Sequence, residues 1–140
     1  MKIADIPFNR HVALEFCGDD KGMMCLKYSS EMTNHLGTIH ASAQFALAEA
    51  CSGHYMLSTF PEYAEDYVAV LRRSEVKYKR QTKESVYAVA ERDEDKVGLF
   101  RSRLERKDRA LIPIRVIIRD EKEEITMEGT FDWFVTKKAE

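Results

Sequence analysis

Between Thr38 and Phe60 the chain reads TIHASAQFALAEACSGHYMLSTF, and Glu49 is its one formally charged residue. Over the whole chain charge is plentiful, at 33% of all residues. The run is rich in alanine and free of proline, which favours helix over strand, and Pro61 supplies a stop. A helix over 41–58 with this composition is apolar nearly all round, so it must be buried on most sides. One flat sheet face cannot cover it. Either the sheet curls around the helix or a second chain covers the remainder.

The flanking segments fit a sheet built largely after the helix. Residues 11–17 and 22–28 are short apolar runs separated by Gly18-Asp19-Asp20-Lys21, and they predict an antiparallel hairpin. Residues 67–79 and 85–92 are rich in valine, tyrosine and alanine with partial alternation, and predict strands. Val97, Phe100 and Leu104 lie at helical spacing and predict a short amphipathic helix over 94–107. Residues 110–119 and 125–136 predict two long strands joined by a turn at 120–123. The expected order is β-β-α-β-β-α-β-β, an α+β fold in a single domain over 1–140.

Composition removes several function classes. The formal charge is −2 and the pI about 6.1, which argues against a large nucleic-acid surface. No apolar run reaches the roughly 18 residues of a membrane span, and the first ten residues lack the apolar core of a signal peptide. Cys17, Cys25 and Cys51 are an odd count at unrelated spacings and read as reduced thiols, so a cytoplasmic protein is expected.

Glu49 stands out chemically. A carboxylate in an apolar helix costs several kcal/mol to desolvate unless it is paired. It is either a structural Glu satisfied by one partner, or a base whose pKa rises in an apolar cleft. Ser42, Ala46, Ser52, Gly53 and Met56 share or flank its helical face, so that side is small and mildly polar. Gly53 inside a helix suggests a close approach. The segment Asn34 to Ser42 is a polar, glycine-containing entry into the helix, whose free N–H groups suit an oxyanion; ordinary capping by Asn34, Thr38 or Ser42 is the plainer reading. His35, His40, Cys51 and His54 do not make one zinc site within a chain, because His40 and Cys51 are about 16 Å apart along a helix. Arg72, Arg73, Lys77, Lys79 and Arg80 crowd one strand, either as a solvated face or as a phosphate-binding edge.

Asn34, six residues on to His40, and nine more to Glu49 in the context Leu47-Ala48-Glu49-Ala50, resembles the motif of hotdog-fold acyl-CoA thioesterases of the phenylacetate-pathway type. The resemblance spans roughly 10–136 and implies a curved antiparallel sheet wrapped around one long helix. It implies a hydrolase in which Glu49 activates water or attacks directly, and Asn34 positions water or substrate. The substrate-binding positions it implies are Gly37, His40, Ala41 and Ser42, with the Ala41 and Ser42 N–H groups holding the oxyanion. No cofactor is implied beyond the CoA thioester itself. His40 and Glu49 lie about 13 Å apart along one helix and about 180° around it, so they cannot meet one carbonyl within a chain. The resemblance implies a hotdog homodimer, with a tetramer of such dimers left open, that would bring them together from two copies.

Two departures mark this chain. Ala41-Ser42 stand where the family carries Gly-Gly, which keeps the N–H donors and crowds a carbonyl. The family's strand Ser or Thr falls at Leu71, with Ser74 nearby. A non-catalytic acyl-thioester-binding protein therefore stays open as an alternative. A dehydratase of the same fold is further off, since its His-Phe-Pro pattern is missing.

Overall fold

The long helix, α2, runs Ala41–Thr59. His40 precedes it in extended conformation, and its Nδ1 accepts the Ser42 N–H at 2.9 Å, so an imidazole caps the helix rather than Asn34, Thr38 or Ser42. Phe60 leaves helical geometry at φ −125°, and Pro61 follows. Leu47, Ala48 and Cys51 are completely buried, as expected for a helix apolar on most sides. The computed structural model describes residues 1–17 and 21–139.

Among the described residues six strands cover the helix: β1 (Glu15–Phe16), β2 (Met24–Leu26), β3 (Tyr67–Tyr78), β4 (Val86–Ala90), β5 (Arg109–Arg119) and β6 (Ile125–Lys137). They form one sheet in the order β1-β2-β4-β5-β6-β3, every neighbour antiparallel. This is the hotdog fold, a curved sheet around one central helix. Alternation explains the face choice. In β5, Ala110, Ile112, Ile114, Val116 and Ile118 point inward and are buried. In β6, Phe131 and Val135 do the same.

The later strands and the second helix fall within a residue or so of expectation, apart from β4, which is shorter than 85–92. Helix α3 covers Glu94–Lys107, with Asp93 accepting the Lys96 N–H and Val97, Phe100 and Leu104 buried. Its Phe100 ring meets Phe60 at 4.8 Å, and Arg101 donates to the Thr59 carbonyl at 2.9 Å, which pins α3 to the end of α2.

The amino-terminal region differs from expectation. The hairpin exists, with Glu15 opposite Cys25, but its strands are shorter than 11–17 and 22–28. His11 instead ends a short helix, α1 (Pro7–His11), because Pro7 presets helical φ at the first position. Ala13 then takes a left-handed φ of 58°, which an extended run does not permit. The predicted turn residues Gly18, Asp19 and Asp20 lie outside the described residues.

Strand β3 has a bulge. Leu71 pairs with Trp133 and Arg73 with Asp132, so Arg72 is the extra residue. Consequently Leu71 and Ser74, an odd number apart, both face the helix: Ser74 pairs with Phe131, a core residue. β3 is an edge strand on its far side and leaves Val68 and Val70 44% and 51% exposed.

Candidate functional site

Glu49 sits in the middle of α2 on a partly exposed stripe that also carries Ala41, Ser42 and Phe45. Burial pushes its carboxyl up from the ordinary value, with no partner charge offsetting the effect. Among the described residues its carboxylate has no ion-pair or hydrogen-bond partner. A half-buried, unpartnered carboxylate holds its proton more tightly and is a better base once ionised.

The small face beside it is ordered by one chain of bonds. The Trp133 Nε1–H donates to Ser52 Oγ at 2.8 Å, and the Ser52 hydroxyl donates to the Glu49 carbonyl at 2.6 Å. The close approach expected at Gly53 is made by the protein's own side chains. A Cβ there would meet Ile3 Cδ1 at 3.3 Å and Trp133 Cζ2 at 3.6 Å. Next to this contact lies an apolar cavity of about 410 Å³, lined among others by Ile3, Ile6, Gly53, Met56, Phe60 and Trp133. Glu49 is not a lining residue. The cavity begins at Gly53, one helical turn or about 6 Å further along the axis.

The loop before α2 is tightly built. Asn34 Oδ1 accepts the N–H groups of Leu36 at 2.9 Å and Thr38 at 3.1 Å, and its Nδ2 donates to Thr38 Oγ1. Gly37 adopts φ +75°, open to glycine without strain, and its N–H donates to the Asn34 carbonyl. The His40 N–H donates to the Met32 carbonyl at 2.8 Å. Asn34 thus reaches the helix entrance without belonging to it, and its amide is committed to the loop. Asn34→Ala should cost about 1–3 kcal/mol through the two orphaned N–H groups, and Tm should fall by about 2–4 °C per kcal/mol. Calorimetric melting of the variant checks this; an unchanged Tm would show that the loop stands without the amide.

The oxyanion donors expected at the helix start are not equally available. Ser42 gives its N–H to His40 Nδ1. Ala41, the first helical residue, has no intrahelical acceptor for its N–H. Tyr78, from the helix-facing side of β3, donates its hydroxyl to the Ala41 carbonyl at 3.3 Å and ties the edge strand to this corner. Ser74 also faces the helix through the bulge, on the strand where strict alternation from Leu71 would turn it away.

The other sequence candidates separate. Burial raises the Cys51 thiol to about 12, so it is no ready thiolate. His54 packs on Phe16 at 4.9 Å between ring centroids, and burial lowers its pKa. Among the described residues no three His, Cys, Asp or Glu side chains gather to hold a metal ion. No described helix is long and apolar enough to cross a membrane. Of the basic strand residues, Arg73 pairs with Glu75, Lys79 with Glu128 and Arg80 with Glu124.

Solved structures share this architecture. A Pseudomonas aeruginosa protein described as of unknown function and a "probable thioesterase" is 18% identical, with TM-score 0.82, over 97% of this chain and 91% of its own. A Haemophilus influenzae thioesterase is 12% identical, with TM-score 0.68, over 99% and 88%. A Bacillus halodurans protein solved with CoA is 18% identical, with TM-score 0.61, over 80% and 69%. At such identities the likeness shows the fold. No curated protein matches the sequence. One family model spans the chain from the end of the amino-terminal helix to the last strand, residues 13–135: the chain belongs to the family described as Domain of unknown function, DUF4442.

Proposed function

We propose that this protein hydrolyses acyl-CoA or similar acyl thioesters at a site shared between two copies of the chain. The observation that carries the reading is Glu49, a carboxylate raised by burial, unpartnered among the described residues, and one turn from an apolar cavity of about 410 Å³. Pockets of this size suit an acyl group. The named thioesterase and the CoA-bound protein among the structural neighbours support the substrate class.

In the proposed reaction Glu49 takes a proton from water, and the hydroxide adds to the thioester carbonyl. The Ala41 N–H of the second copy meets the oxyanion, joined by that of Ser42 once His40 turns its imidazole away. The intermediate collapses with cleavage of the C–S bond, and the proton held by Glu49 passes to the leaving thiolate. Asn34 and Gly37 shape the entrance, and Ser74 offers a hydroxyl from the edge strand.

A second copy fits along β3. Its free edge is 12 residues long, with Val68 and Val70 exposed beside it. Light scattering should give about twice 16.2 kDa, and a stable monomer would remove the shared site.

A second reading, binding without hydrolysis, is favoured by one observation: the Ser42 N–H is already occupied by His40. Incubating the purified protein with a panel of acyl-CoAs and a thiol reagent separates the two. Thiol release that depends on Glu49 supports hydrolysis, and binding without release supports the alternative.

A further inference from the structure

The outer face of the sheet, away from α2, gathers positive charge around one aromatic ring. Arg72, the extra residue of the β3 bulge, lies over Phe134 with its guanidinium carbon 4.0 Å from the ring centroid. Arg103 and Lys107 of α3 and Arg109 at the start of β5 close around the same ring, and with it they line a shallow depression of about 480 Å³.

Among the described residues none of these four cations has a carboxylate partner, whereas Arg73, next to Arg72, and Arg101 of α3 both do. Arg103 and Lys107 are one turn apart on the same helix face, where like charges repel. The negative end of α3 accounts for Lys107. It does not account for Arg72 and Arg109, which come from two strands and converge on the same spot. Among the described residues no ion pair relieves this repulsion.

We propose that the depression is a binding site for a nucleotide. The guanidinium forks of Arg72, Arg103 and Arg109, with the Lys107 ammonium, match phosphate oxygens in geometry and charge. The stacked Arg72–Phe134 pair offers a flat surface to a base. Two sources carry that chemistry: the nucleotide end of a CoA thioester, or a free nucleoside polyphosphate. The CoA source rests on the hydrolytic reading; a free nucleotide does not, since the depression lies on the opposite face of the sheet from Glu49.

Calorimetric titration at low salt with CoA, with ATP and with inorganic phosphate tests it. At least one nucleotide should bind the parent protein at micromolar to submillimolar concentration, and inorganic phosphate should bind more weakly. Arg72→Ala with Arg109→Ala should weaken the nucleotide by about tenfold or more through lost charge-assisted bonds. Arg103→Gln with Lys107→Gln, two exposed helix positions, should do so independently. A preference for CoA over ATP identifies the thioester's nucleotide as the occupant, and a preference for ATP over CoA identifies a free nucleoside polyphosphate. No nucleotide binding by the parent, or unchanged binding in both double variants, would overturn the site. Glu49→Gln should bind as the parent does, so loss of hydrolysis and loss of this site are read apart.

Discussion

Glu49→Gln is expected to lower kcat/KM for acyl-CoA hydrolysis by about 100-fold or more, because the amide cannot accept the proton from water. The fold should survive. Glutamine keeps the shape and removes a half-buried charge that has no partner among the described residues. The stability change has a definite sign. Burial raises the folded-state pKa of Glu49 above the unfolded one, so the folded chain holds that proton more tightly. The resulting stabilisation is complete below the unfolded pKa and is lost as pH rises through the raised folded value. Above that window the parent carries a desolvated carboxylate and the variant does not. Urea unfolding at neutral pH should therefore show the variant equal or more stable, with the gain vanishing in acid. The parent's kcat/KM should climb with pH through the same raised value, since only the carboxylate is a base. Retained turnover in the variant would refute Glu49 as the base.

Phe131→Ala should cause the largest loss of stability, about 3–5 kcal/mol, the usual range for truncating a fully buried aromatic. Phe131 is completely buried in the middle of β6, between Ser74 of β3 and Ile114 of β5. Its ring meets that of Phe45 at 5.6 Å, one helical turn before Glu49. The side chain thus seats the helix stripe that carries the candidate base. Urea unfolding measures the loss, and Phe131→Leu should recover much of it. A loss below about 1 kcal/mol would mean that α2 settles into the cavity without that anchor.

The helix and the strands β5 and β6 could be read from the sequence because each carries one signal over many residues. The 41–58 run announced burial by its lack of charge, and β5 and β6 by alternation. The amino-terminal segment failed that test for physical reasons. Its helix is five residues long, too short for periodicity to register, and the left-handed Ala13 follows no residue preference. In the candidate site, the place of Glu49 on a small-residue face was legible from spacing alone. The inward turn of Ser74 was not, since a bulge shifts parity by one without a glycine to mark it. Nor was the His40 cap, because imidazole stands outside the usual capping residues. The pairing of the basic strand was hidden too, since the carboxylates that neutralise Lys79 and Arg80 come from Glu128 and Glu124, more than 40 residues later.

Trp133 is the only tryptophan in the chain, and it combines two properties seldom found together. Its indole N–H is fixed to Ser52, and its ring forms part of the wall of the apolar cavity beside Gly53. The protein therefore carries its own optical reporter at the place where an acyl group would lodge. Excited near the red edge of protein absorption, its emission comes from one indole whose surroundings change when the cavity fills. An acyl chain that displaces water there should shift that emission to shorter wavelength, whereas a ligand confined to the outer face should leave it unchanged. Occupancy of the chamber becomes a quantity read from the unlabelled protein, whether or not any bond is broken.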